Sequence, residues 1–189
     1  MPLWNPLNSA VRRISGFHAV TAQASNRIGN MTTISKAIPG KKVPAFSLPA
    51  TGGKEIKLSD LKGNKVVLYF YPKDSTPGCT LEGQGFRDRS REFREQNTII
   101  IGVSRDSLES HENFRDRQCL PFDLISDADE KLCVIFDVIG EKNMYGKKVS
   151  GIERSTFLID AEGILRKEWR KVRVEGHVAE VLQAVRDCP

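Results

Sequence analysis

Two short apolar runs rich in β-branched and aromatic residues constrain the fold of this chain more than any other feature. Residues 65–71 read KVVLYFY, and residues 98–104 read TIIIGVS. Each run has the length and composition of a strand buried on both faces of a sheet. The charged segment between them, residues 80–96, places Phe86 and Phe93 among many polar residues and predicts a weak amphipathic helix. The sequence therefore predicts an α/β protein.

The rest of the chain completes the order of a thioredoxin-like fold. The pattern predicts a helix at residues 106–118, a short helix at 129–139, a hairpin of strands at 154–160 and 164–170, and a final helix at 176–187. Residues 146–154 indicate a loop because two glycines interrupt them. We expect a central mixed β-sheet flanked by helices.

The charge distribution separates the N-terminal segment from the rest of the chain. The net charge is +5, and no Asp or Glu occurs before Glu55. Residues 1–35 therefore predict a leader, and residues 36–189 a single domain. The leader is either a disordered tail, sequence upstream of a start at Met31, or a transit-like segment for organelle import. The remainder is nearly neutral and has no long apolar run, so we expect neither nucleic-acid nor membrane binding.

The cysteine pattern indicates a reducing compartment. The four cysteines, Cys79, Cys119, Cys133 and Cys188, form neither a CxxC pair nor a Cys/His cluster of zinc type. We therefore expect no bound metal and a cytoplasmic protein, with organelle import as the alternative. Cys133 lies in an apolar segment and is expected in the core.

Cys79 carries the chemistry that the sequence indicates. It follows the first strand and lies where the next helix begins, after Pro77 and Gly78, which allow a tight turn that exposes the sulfur. The free N–H groups and the positive dipole end of a helix N-terminus favour thiolate over thiol. Thr76 can place a hydroxyl beside the sulfur, and Pro72 can shield the pocket from water. An arginine is still required to hold both the thiolate and a leaving oxygen.

These residues resemble a known family. The segment PKDSTPGC matches the peroxiredoxin pattern PxxxTxxC at Pro72, Thr76 and Cys79, and RSTFLID resembles the strand that places the family's active-site arginine at Arg154. The segments YFYPKDSTPGCT, IGVSRDS, LISDADEKLC and GIERSTFLID are similar to the bacterioferritin-comigratory, or Q-type, subfamily. The resemblance covers residues 38–187.

The resemblance implies a thiol peroxidase on a thioredoxin fold that reduces hydrogen peroxide and organic hydroperoxides. Cys79 would be the peroxidatic cysteine, and Thr76, Pro72 and Arg154 would complete the catalytic site. Thioredoxin or a glutaredoxin-like protein would recycle the enzyme. The resemblance implies no cofactor, metal or haem, and it favours a monomer.

The subfamily's second, resolving cysteine is missing from both of its usual positions. One position falls on Gln84 and the other on Arg115. Cys119 lies four residues after Arg115 and would occupy the same helix face if the helix extends that far. Cys119 is therefore the candidate resolving residue, and a one-cysteine enzyme resolved by an external thiol is the alternative.

Two other functions share this fold. A thiol-disulfide oxidoreductase normally needs a CxxC pair, which residues 78–82 do not supply. A non-enzymatic redox sensor would need only an oxidisable Cys79. The three histidines, His18, His111 and His177, stand in no motif, and we expect ordinary surface positions for them.

Overall fold

The computed structural model describes residues 35–144 and 147–189. The strands are β1 (Ser47–Ala50), β2 (Lys54–Lys57), β3 (Lys65–Phe70), β4 (Thr98–Ser104), β5 (Asp123–Ser126), β6 (Ile139–Met144), β7 (Lys147–Ile152), β8 (Ser155–Ile159) and β9 (Leu165–Trp169). The α-helices are α1 (Pro77–Asp88), α2 (Ser90–Glu95), α3 (Leu108–Arg117), α4 (Lys131–Ile135) and α5 (His177–Asp187). The predicted leader, residues 1–35, lies outside the described residues except for its last position.

The main sheet is mixed, as the sequence predicts. Its strand order is β2-β1-β5-β4-β3-β8-β9. The central strand β3 pairs in parallel with β4 and antiparallel with β8. Helices cover both faces, so the predicted fold class is confirmed. In the described ranges, no helix is long and apolar enough to cross a membrane.

Two apolar cores lie on opposite faces of this sheet. Successive residues of a strand point to opposite faces, so Leu68 and Phe70 enter one core and Tyr69 and Tyr71 enter the other. The core around Tyr69 also receives apolar residues of α1, α2, α3 and α5. The first turn of α1 therefore lies against a well-packed face, and Cys79 belongs to this core.

The register of β3 with β8 places distant residues next to one another. Phe70, the last residue of β3, pairs with Ser155, the first residue of β8. The residue before Ser155 is Arg154, so Arg154 lies at the end of the central strands where the chain leaves β3 for α1. The antiparallel pairing thus brings Arg154 to the segment that carries Cys79.

Two local predictions were wrong, and strand β5 was missed. The helix predicted at residues 80–96 begins earlier and is broken at Arg89 into α1 and α2. The loop predicted at residues 146–154 instead contributes β7 to a two-stranded hairpin with β6. Strand β5 was not predicted, because its four residues show no clear periodicity and its pairing with β4 is a tertiary feature.

Candidate active site

Cys79 lies in the first turn of α1, as its position in the sequence predicts. Thr76 is the N-cap residue and Pro77 occupies the first helical position, where its missing N–H costs no hydrogen bond. The sulfur is not exposed, however, because only 1% of the residue is accessible to solvent. The side chain of Cys79 therefore points towards the core formed by Tyr69 and its neighbours and not towards solvent.

Arg154 covers the sulfur of Cys79. Its Nη2 atom donates a hydrogen bond to Sγ of Cys79 at 3.2 Å. The side chain is only 15% exposed, which strengthens its electrostatic interactions with neighbouring groups. The guanidinium also lies 3.3 Å from the point where a Cβ on Gly78 would stand, so any larger residue there would press on Arg154. The predicted cysteine and arginine are thus brought together.

Glu82 is a member of this cluster that the sequence analysis missed. It lies one turn after Cys79 on α1, is fully buried, and accepts a hydrogen bond from Nη1 of Arg154. Burial raises the pKa of Glu82 to about 7, although Arg154 opposes the rise. Burial alone would lower the pKa of Arg154, but Glu82 and Cys79 together raise it above its ordinary value. The i, i+3 spacing from Cys79 was the available sequence signal.

Thr76 and Pro72 lie in the loop between β3 and α1. The hydroxyl of Thr76 donates to the carbonyl oxygen of Lys73 at 3.0 Å and makes no capping bond to the helix. Its oxygen keeps lone pairs that can accept a hydrogen bond. Pro72 is half-buried. Both residues therefore adjoin the entry to α1.

Comparison with known proteins decides the family. The sequence matches the AhpC/TSA family over residues 39–168. Peroxiredoxin Bcp of Bacillus subtilis is 54% identical over 148 residues, which are 78% of this chain and 94% of that protein. Peroxiredoxin Bcp of Xanthomonas campestris is 54% identical over 143 residues, which are 75% of this chain and 89% of that protein.

The chain belongs to the AhpC/TSA family of peroxiredoxins. A solved structure of Xanthomonas campestris peroxiredoxin Q matches it with a TM-score of 0.73 and 53% identity, covering 75% of this chain and 90% of that one. Another solved structure, of Xanthomonas campestris bacterioferritin comigratory protein, concerns alkyl peroxide reduction by that protein. The resemblance to the Q-type subfamily is confirmed, and so is the thiol peroxidase, which the comparisons favour over the sensor and the oxidoreductase.

Cys119 of this peroxiredoxin does not lie on the face of α3. The helix ends at Arg117, and Cys119 adopts a left-handed backbone with a φ of 50°. The condition for sharing a helix face with Arg115 is therefore not met. The next segment docks on α1 instead, because the side chain of Gln84 donates to that of Gln118 at 2.9 Å. Cys119 is exposed beside this contact.

The other two cysteines lie away from the cluster around Arg154. Cys133 is fully buried in the opposite core, and burial together with Asp127 raises its pKa far above the ordinary value. Cys188 follows α5 and is 9% exposed. In residues 35–144 and 147–189, no group of His, Cys, Asp and Glu could hold a metal ion.

The prediction of surface positions for the histidines was wrong where the structure describes them. His111 and His177 are both buried, and His18 lies outside the described residues. The Nε2 atom of His177 lies 2.8 Å from the hydroxyl of Thr156. Burial lowers the pKa of His177 to about 4, so this ring is neutral at pH 7. Both histidines have charged neighbours in the sequence, and these neighbours wrongly indicated exposed positions.

Proposed function

We propose that Cys79 is the peroxidatic cysteine of this enzyme. The observation that carries the proposal is the contact between Nη2 of Arg154 and Sγ of Cys79 at the first turn of α1. A guanidinium and a helix N-terminus both stabilise a thiolate, which is the nucleophilic form of cysteine. The substrates are hydrogen peroxide and organic hydroperoxides.

The reaction transfers the terminal oxygen of the peroxide to sulfur. The thiolate of Cys79 attacks that oxygen, an S–O bond forms as the O–O bond breaks, and the electron pair of the O–O bond leaves on the alkoxide or hydroxide. Sulfur is oxidised to a sulfenic acid, and the peroxide is reduced. The leaving oxygen takes a proton from water and departs as an alcohol or as water.

Arg154, Thr76 and Pro72 are proposed to organise this step. Arg154 holds the thiolate and stabilises charge that develops on the two peroxide oxygens. The Thr76 oxygen is free to accept from the peroxide O–H, since its own proton is directed to Lys73. Pro72 excludes water from the pocket. Glu82 orients Arg154 through its hydrogen bond and is therefore a positioning residue.

Cys119 is proposed to resolve the sulfenic acid. Its thiol would attack the sulfur of Cys79, release water, and leave a disulfide. Cys79 is buried and Cys119 is exposed, so the first turn of α1 must open before the two sulfur atoms can meet. Bonded cysteines need Cα atoms within about 7 Å of each other. Gly83 and Gly85 favour this opening.

The remaining expectations concern the donor, the assembly and the compartment. The disulfide would be reduced by thioredoxin or a glutaredoxin-like protein, which suits an exposed Cys119. We infer a monomer, as the subfamily resemblance favours. We also infer a cytoplasmic location, because the cysteine usage fits a reducing compartment. We expect the domain of residues 36–189 to be active without residues 1–35.

Peptide mass spectrometry of the full chain after one equivalent of hydrogen peroxide tests these assignments. We expect the oxidised sulfur to be Cys79 and a fraction of molecules to carry a disulfide between Cys79 and Cys119. Oxidation at Cys133 or Cys188 with Cys79 unmodified would overturn the proposed role of Cys79. Oxidation of Cys79 without a partner cysteine would leave its role intact and favour the one-cysteine enzyme.

A further inference from the structure

The loop that joins β3 to α1 is held in an unfavourable conformation. Ser75, which immediately precedes the N-cap residue of α1, has a φ of 57°. A left-handed backbone is uncommon for residues other than glycine, and it persists only where surrounding contacts determine it. The same loop carries Pro72 and Thr76. The contacts that hold the loop therefore also set the position of the proposed peroxide site.

Asp74 makes most of these contacts. Its side chain is 3% exposed. One carboxylate oxygen accepts from the hydroxyl of Tyr71 at 2.8 Å. The other accepts from Ser110 at 2.7 Å and lies 2.9 Å from Nδ1 of His111. The backbone N–H of Asp74 donates to Asp106 at 2.9 Å.

The carboxylate of Asp74 is the ionised form. Burial by itself would raise the pKa of Asp74, but His111, Ser110 and Tyr71 together lower it below the ordinary value. A carboxylate that accepts two hydroxyl hydrogen bonds has no need of its own proton. The atom that faces Nδ1 of His111 is therefore a negatively charged acceptor.

Both ring nitrogens of His111 face acceptors. Nε2 lies 3.2 Å from the carbonyl oxygen of Ile125, which can only accept a hydrogen bond. Nδ1 lies 2.9 Å from the carboxylate of Asp74, and an unprotonated nitrogen would direct its lone pair at a negative charge there. A ring that carries a proton on each nitrogen satisfies both of these acceptors.

We propose that Asp74 and His111 form a buried ion pair that positions the loop carrying Pro72 and Thr76 for the reaction of Cys79 with peroxide. Both are positioning residues, since they act through the loop. Two other polar groups face the pair: the carboxylate of Asp106, on the segment between β4 and α3, and the hydroxyl of Tyr71, which directly follows β3. His111 extends the pair into the sheet through Ile125. The pair thus joins the loop to α3 and β5.

The proposal follows from the cost of breaking a buried pair. Removing one partner leaves the other charge buried and unpaired, which is strongly unfavourable. The loop would relieve this cost by moving Asp74 towards water, and the left-handed Ser75 would then be free to relax. Thr76 and Pro72 would shift with it, and small misplacements of a reacting pocket slow reactions severely. The proposal rests on the proposed role of Cys79.

Nuclear magnetic resonance of the full chain with ring-¹⁵N histidine tests the ion pair without a mutation. We expect two ring N–H signals for His111 at neutral pH, both exchanging slowly because the ring is buried. A single ring N–H at His111 would overturn the ion pair. This result does not depend on catalysis, so it stands apart from any failure of the role given to Cys79.

Kinetics of Asp74→Asn and His111→Gln test the positioning role. In chains that remain fully folded at the assay temperature, each change should slow oxidation of Cys79 by hydrogen peroxide about tenfold to a hundredfold. Alkylation of Cys79 by iodoacetamide needs no peroxide pocket and should slow far less. The double variant should be no slower than either single variant, because both changes remove one interaction and together they leave no unpaired charge.

Asp160→Asn is the matched control. Asp160 is also a buried, ion-paired carboxylate, but it follows β8 and lies at the opposite end of the central strands from Cys79. It should lose stability and keep its peroxide rate. Folded Asp74→Asn with the wild-type peroxide rate, or equal slowing in Asp160→Asn, would overturn the positioning role. If Asp74→Asn does not fold, Ser110→Ala, which removes one bond to the same carboxylate, must show the same selective loss of peroxide rate over alkylation.

Discussion

Arg154 lies 3.2 Å from the sulfur of Cys79 although 75 residues separate them in the chain. The pairing of Phe70 with Ser155 creates this proximity, because it places the start of β8 beside the end of β3. The contact joins a cysteine at a helix N-terminus to a permanently charged side chain. It is the centre of the proposed active site.

Replacing Cys79 by Ser should abolish peroxide consumption with a thiol donor, since a serine hydroxyl is not ionised near neutral pH. Cys133→Ser and Cys188→Ser are matched controls and should retain most of the activity. The measurement is steady-state loss of hydrogen peroxide in the presence of thioredoxin or dithiothreitol. Full turnover by the Cys79 variant would refute the assignment of the nucleophile.

In chains that remain folded at the assay temperature, Arg154→Met should slow the reaction of Cys79 with peroxide about a hundredfold, the effect of losing one transition-state donor. Stopped-flow kinetics at several peroxide concentrations give the second-order rate constant. Arg166→Met is the control, because Arg166 pairs with Asp160 at the opposite end of the central strands from Cys79. An unchanged rate constant in the Arg154 variant would show that another residue stabilises the leaving oxygen.

Glu82 should make the enzyme less stable as pH rises. Burial raises the pKa of Glu82 to about 7 in the folded chain, above its ordinary value of 4.5. The folded state therefore holds this proton more tightly than the unfolded state does. The stabilisation is fully present below pH 4.5 and is lost as pH rises through about 7.

Comparison of the wild type with Glu82→Gln isolates this contribution. Urea unfolding between pH 5 and 8 should show the wild type losing free energy of unfolding relative to the variant, whose amide does not ionise. The difference should level off above the pKa of Glu82. A difference that stays constant over this range would mean that Glu82 is ionised throughout.

Cys119→Ser should accumulate sulfenic or sulfinic acid at Cys79 and lose turnover supported by thioredoxin, because no second thiol would resolve the first oxidation product. The initial reaction with peroxide should keep its rate, which distinguishes a resolving role from a structural one. Intact mass spectrometry and a coupled thioredoxin assay provide the measurements. Wild-type turnover in the variant, with no disulfide in the parent, would establish a one-cysteine enzyme.

The sequence correctly predicted the structural features that depend on a single continuous segment. The strands around residues 65–71 and 98–104 follow from short apolar runs, and the position of Cys79 in the first turn of α1 follows from the proline and glycine before it. Even the approximate limits of α5 follow from its apolar spacing. These features are local because hydrogen bonding and side-chain periodicity within one segment determine them.

Tertiary structure alone decided which distant groups meet. Glu82 and His111 are polar residues on predicted helices, yet each is buried against a partner from another segment. Cys119 leaves its helix because the chain turns there to dock beside Gln84. Burial and ion pairing depend on sheet register and helix packing, which bring together residues that share no local pattern. The sequence by itself determined the family and indicated the candidate nucleophile, and the packing of the fold decided which charged groups surround it.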